Sequence, residues 1–155
     1  MSSARRAFYG ALGGAGGTLM LTGFRKSMAA LGLVGTSAPE QVVERLEELG
    51  LLDGWSPEAR RALTVVAHYT YGVGTGTALG FLRRRRGGTT EEAAVGSALG
   101  VLDWGVGWTS WLPLAGVHLP PWKQQSPKVL LPVLDHVVFG GAWGLLYRVI
   151  RPSQV

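Results

Sequence analysis

Cysteine is missing from this 155-residue chain, which excludes disulfides, thiolate metal sites and cysteine nucleophiles and leaves the redox compartment unreadable. There is no Gly-x-Ser-x-Gly elbow, and no lysine follows a phosphate-cradling turn. The glycine-rich stretch from Gly10 to Thr18 lacks the preceding strand and βαβ surroundings of a dinucleotide fingerprint. Ser97, Thr109 and Ser110 read as polar packing residues, so the expected set of catalytic residues is empty. Charge is scarce, at 16% of residues, and it is gathered between blocks that carry little or none.

Those blocks are the main positive signal. Four stretches, Ala7 to Phe24, Ala62 to Leu82, Ala93 to Leu114 and Val129 to Tyr147, have the roughly 18 to 22 residues that cross about 30 Å of hydrocarbon as a helix. Glycine, 24 residues in all, keeps the mean hydropathy modest, yet it is common in transmembrane helices. The expectation is an all-α, polytopic membrane protein: one domain over 1–155, a four-transmembrane-helix bundle with spans at about 7–24, 62–82, 93–114 and 129–147. Between the first two spans, Ser37 and Glu40 spell a capping box, Pro39 suits a first turn, and Gly50 stands where a C-terminal cap would. Val42, Val43, Leu46 and Leu49 oppose Glu44, Glu47 and Glu48, which predicts an external amphipathic helix at about 38–49. Ser56, Pro57 and Glu58 mark the start of the next helix, which runs through Arg60 and Arg61.

A formal charge of +5 suits either nucleic acid or anionic lipid, and the position of the cations decides between them. Arg83, Arg84, Arg85 and Arg86 directly follow the second predicted span, as a juxtamembrane cluster against lipid headgroups does, so no nucleic-acid partner is expected. The run sets that loop inside, with Arg5/Arg6 and Arg148/Arg151 on the same side, and both termini are expected in the cytoplasm. The segment from Arg25 to Arg61 and the turn from Gly116 to Lys128 fall on the opposite side. Arg5-Arg6-Ala7-Phe8 imitates a twin-arginine export signal, but no small-x-small cleavage site follows near Arg25 to Ala30, and an uncleaved first helix is expected. Trp108, Trp111 and Trp122 read as part of an interfacial belt.

His68, Tyr71, Gly72 and Gly76 repeat as His136, Phe139, Gly140 and Gly144. The repeat suggests a duplicated helical hairpin with halves related by an axis along the membrane normal. Gly72/Gly76/Gly80, Gly96/Gly100, Gly140/Gly144 and Gly10 with Gly13, Gly14 and Gly17 leave flat strips on which another helix backbone can approach. His68 and His136 share one predicted depth, and Asp103 and Asp135 join them as candidate intramembrane polar residues. Three readings stay open: interhelical hydrogen bonds, bis-histidine ligation of a b-type haem, and a proton or ion path. His118, beside Pro120 and Pro121, reads as a solvated loop residue, and no metal site is expected.

The Gly-rich first helix, the segment His68 to Gly72, the helix carrying Gly96, Gly100 and Trp104 with Pro113 after it, and the final His136 helix together resemble the YagU-type bacterial inner-membrane proteins. The resemblance implies a multi-pass place in the bacterial inner membrane and a role in acid tolerance; it supplies no catalytic residues. The expected function is that of a non-catalytic accessory or assembly component, packing through its glycine strips within itself, with further copies, or with other membrane subunits. The alternatives are the proton or ion pathway and the haem protein.

Overall fold

The computed structural model describes residues 1–33, 35–124 and 129–152, and all regular structure among them is helical. The elements are α1 (Ser3–Ala30), α2 (Ala38–Glu48), α3 (Pro57–Leu82), α4 (Thr89–Val106), a π-helical turn (Gly107–Trp111), the single turn α5 (Leu112–Leu114), a 3-10 turn (Pro121–Lys123) and α6 (Leu130–Ile150). Lys128, at the end of the turn expected from Gly116, lies outside the described residues.

Local chemistry sets the helix ends. Ser2, Ser37 and Ser56 each accept a hydrogen bond from the backbone N–H three residues on, supplying a partner for one of the orphan donors at a helix start. Glu40 completes the capping box by accepting from Ser37 N. Gly32 and Gly50, both at φ 72°, turn the chain after α1 and α2, a conformation that carries no Cβ penalty in glycine. Pro113 has no N–H to give the carbonyl of Thr109, and the ladder loosens into the π turn just before it.

The four long helices pack as two antiparallel hairpins, α1 with α3 and α4 with α6, joined mainly along α1 and α6. Each hairpin closes on glycine. A Cβ on Gly14 would meet the Gly72 carbonyl and the Gly76 Cα, and one on Gly96 would meet the Gly140 carbonyl and the Gly144 Cα. These two sets of contacts are equivalent under the sequence repeat, in which Gly72 and Gly76 correspond to Gly140 and Gly144. Between the hairpins, Phe139 and Trp143 of α6 lie over Gly17 and Gly13 of α1, and Trp143 donates to the Gly10 carbonyl at 3.2 Å. Trp143 and Tyr147 are stacked at 5.0 Å and fully buried.

The all-α expectation agrees with this architecture; the four-transmembrane-helix expectation does not. Only α6, with 21 residues, is both long and apolar enough to cross a membrane among the described residues. Glycine is not apolar filler: α1 is rich in it, α3 alternates it with threonine, and both helices carry arginines, which together dilute their hydropathy. The predicted span 93–114 is continuous helical backbone, α4 running through the π turn into α5, but its α4 portion carries Glu91, Glu92 and Asp103 and it is not among the helices apolar enough to cross a membrane. The first predicted span, 7–24, is a fragment of a helix that continues through Arg25 and Lys26 to Ala30.

Candidate functional site

At the end of the molecule where α1 finishes and α6 begins, the hairpins part around a cavity of about 180 Å³. His68, Asp103, Asp135 and His136, the four polar candidates from the sequence, all line it. Its walls are mostly apolar, from Leu21, Val42, Leu112 and Phe139 among others, and Trp108, Trp111 and Tyr71 add aromatic surface. Its floor is Thr18, Gly72 and Phe139. Beyond that floor the glycine contacts and the Trp143–Tyr147 stack fill the interior.

Helix α1 brings Arg25, whose guanidinium pairs with the Asp135 carboxylate of α6 and also donates to the Gly35 carbonyl at 2.8 Å. Thr22, one turn earlier, gives its hydroxyl proton to the Thr18 carbonyl at 2.8 Å. That leaves only its lone pairs for His68, so the His68 Nε2 at 3.3 Å is the donor in that contact. Burial lowers the His68 pKa, and Arg25 lowers it further, while Glu40 acts the other way.

Asp103 on α4 accepts from the Tyr71 hydroxyl at 3.0 Å through one oxygen, while its other oxygen is buried without a hydrogen bond, 3.8 Å from His136 Nε2. Burial raises the Asp103 pKa, opposed by His136 and by hydrogen bonds from Tyr71 and Thr75. Burial also raises Tyr71, and the Asp103 charge adds to it. The opposite nitrogen of His136, Nδ1, lies 2.7 Å from the Pro132 carbonyl, which can only accept, so Nδ1 carries a proton. Trp108 meets His136 edge-on at 6.2 Å and stacks on His118 at 4.6 Å. Both imidazole Nε2 atoms of the proposed haem pair therefore already have neighbours, Thr22 for His68 and Asp103 for His136. No group of three or more histidines and carboxylates disposed to hold a metal ion occurs among the described residues.

Several side chains do not stand where the sequence suggested. Trp108 is 5% exposed and belongs to the cavity wall rather than to a belt, whereas Trp111 and Trp122 are exposed. His118 is packed on Trp108 instead of being solvated. Arg84 and Arg85 face outward, but Arg83 makes a two-pronged contact with Glu92 at 3.1 Å and reaches Glu91, and Arg86 donates to the Arg148 carbonyl. Hydrogen bonds to Glu92 and Glu91 raise the Arg83 pKa against a smaller effect of burial. Arg151, stacked on Tyr147, donates to the carbonyls of Arg83, Arg84 and Arg85 and so ties the turn to the end of α6. The glycines predicted for packing, Gly72, Gly76, Gly80, Gly96, Gly100, Gly140 and Gly144, all lie in the helix seams.

Sequence reading missed Arg25, Thr22 and Tyr71. Tyr71 was within reach, being one helical turn after His68 and on the same face. Arg25 belongs to α1, which runs about one and a half turns past the end of the expected first span, and not to the segment between spans. No family model, curated protein or solved structure matches this chain, so the YagU-type resemblance rests on the motifs alone.

Proposed function

We propose that this protein is a non-catalytic, membrane-associated component whose outer faces meet lipid and whose cavity binds rather than converts. The carrying observation is the distribution of side chains. The interior is made of the glycine seams, apolar side chains such as Leu79, Trp143 and Tyr147, and the polar Thr18, Glu92, Asp135 and Arg151, while Leu19, Val65, Val66, Leu102, Val106 and Val149 stand on the outside with more than half their surface exposed. Large aliphatic side chains are exposed on all four long helices, and exposed apolar surface of that extent marks a site of lipid or protein contact. In α6, the one helix apolar enough to cross a bilayer, only 33% of the most apolar stretch is buried, unlike the core helix of a globular domain.

The non-catalytic part of the proposal is supported by the hydrogen bonds of the cavity. The Thr22 hydroxyl approaches His68, as a nucleophile approaches a base, but its shorter contact is with the Thr18 carbonyl at 2.8 Å, a bond that holds the hydroxyl along its own helix. A continuous proton path draws no support from the closed glycine seams beneath the cavity floor.

Fractionation tests the proposal. The full chain is expected in the membrane pellet, to stay there through an alkaline carbonate wash, and to leave only with detergent. Recovery in the soluble fraction as a folded monomer would overturn it.

A further inference from the structure

The cavity has a specific electrostatic defect. Its charged groups are Arg25, Asp135 and Asp103, and the first two satisfy each other. Asp103 has Tyr71 and Thr75 as hydrogen-bonding neighbours, while its Oδ2 is buried without a hydrogen bond. The atom facing that oxygen is His136 Nε2, at 3.8 Å. The Nδ1 proton of His136 is committed to the Pro132 carbonyl, and its Nε2 lies beyond hydrogen-bond distance of Asp103. The buried Oδ2 of Asp103 is thus an acceptor without a hydrogen bond, a poor arrangement that a cation from outside would relieve. The surroundings suit one that is organic: Tyr71, which bonds Asp103, and Trp111, with ring centroids 6.4 Å apart, line the partly exposed side of the cavity. Aromatic faces attract cations, and apolar walls favour one that carries hydrocarbon. In size, a dry cavity of roughly 150 Å³ holds benzene, so about 180 Å³ takes a single ring or a branched alkyl group.

We propose that this cavity is a binding site for a small organic monocation, an amine or quaternary ammonium with an apolar body, whose charge sits at Asp103 on the side of the cavity that Tyr71 and Trp111 line. The other groups facing Asp103 and His136 are Arg25 of α1, His68 of α3, Asp135 of α6 and His118 of the α5–α6 connection, with Glu40 of α2 acting on His68. Arg25 repels the guest and Asp135 offsets that repulsion, so Asp103 supplies the net charge of the site. The proposal does not depend on where the outer faces lie, since the cavity is built from side chains between the hairpins.

The test is calorimetric titration of the detergent-purified full chain with benzyltrimethylammonium, a permanent cation, and with phenylacetate as an anion of similar body. Saturable binding of the cation and none of the anion is expected. Asp103→Asn is expected to weaken cation binding about tenfold or more while helical circular dichroism is kept. Trp111→Leu, at an exposed position, is expected to weaken it severalfold, so the outcome does not hang on one interior variant. The proposal is overturned if folded protein fails to bind the cation, if the anion binds equally, or if neither Asp103→Asn nor Trp111→Leu alters affinity. Because the titration reads binding by folded protein, its failure is distinguishable from failure of the fractionation test.

Discussion

His68 is held neutral more firmly in the folded protein than in the unfolded chain, since burial and the nearby Arg25 both disfavour its charged form. A histidine with a lowered folded pKa contributes stability that is present above its unfolded value, near 6.5, and is lost as pH falls through the folded one. Thermal unfolding of the purified protein is therefore expected to weaken on acidification below that value, and His68→Gln to show a shallower acid limb. Equal acid limbs would assign the pH dependence to other groups. A second residue-scale expectation concerns Glu92, which is 0% exposed and accepts from Arg83 and from the Gly87 N–H. Glu92→Gln retains shape but loses the charge, and hydrogen bonds to charged groups are worth about 1.5–3 kcal/mol. A loss of that order in denaturant unfolding is expected; an unchanged midpoint would show that the Arg83 contact adds nothing net.

Among the helices, glycines divide into two kinds that sequence alone does not separate. At Gly76 a Cβ would fall against the Gly10 carbonyl and the Gly14 backbone, atoms that cannot swing aside as a side chain can. Two turns of the same helix also contain Gly74, which faces outward with nothing within 4 Å of such a Cβ. Gly76→Ala is expected to destabilise by about 1–3 kcal/mol through overpacking, whereas Gly74→Ala is expected to stabilise by up to about 1 kcal/mol through helix propensity. Paired unfolding curves check both, and a similar response from the two variants would deny the seam its role. This contrast also marks how far the sequence could be read. The Gly-x-x-x-Gly spacing is visible in the chain and points to the correct seam residues, because close approach needs the same side of the helix every four residues. Helix starts at Ser37 and Ser56 were equally legible, being local hydrogen-bond chemistry. Helix length was not: α1 passes Arg25 because that cation finds Asp135 on a distant helix, a partnership no local signal announces. The inward Arg83 depends likewise on contacts made only after folding.

For the molecule as a whole, protection should follow the seams. Amides of α3 around 72–80 and α6 around 140–147 lie in buried glycine contacts, whereas α2 and the 3-10 turn at Pro121–Lys123 sit at the periphery with few buried side chains. Hydrogen exchange is expected to be slowest in the first group and fastest in the second, since local opening is easiest where little is buried. Uniform exchange would mean that the hairpins do not hold as units. The polar candidates His68, Asp103, Asp135 and His136 were nameable in advance because polar groups in apolar helices are conspicuous, but their convergence was not, since rotation of each helix about its axis is set by the seams.

The two glycine seams also imply an order of assembly. Ser97 bonds to Val137, 40 residues away, and Thr22 meets His68 at 46, whereas the Trp143 bond that joins the hairpins reaches Gly10 across 133 residues. Closing the last loop from an open chain costs about 1 kcal/mol more in entropy than either of the first two, at about 0.6 kcal/mol per doubling of length. Each hairpin can form without the other, and once both exist the short turn at 83–88 already holds them near each other. The cavity, which needs side chains from both, is consequently the last part of the molecule to be completed.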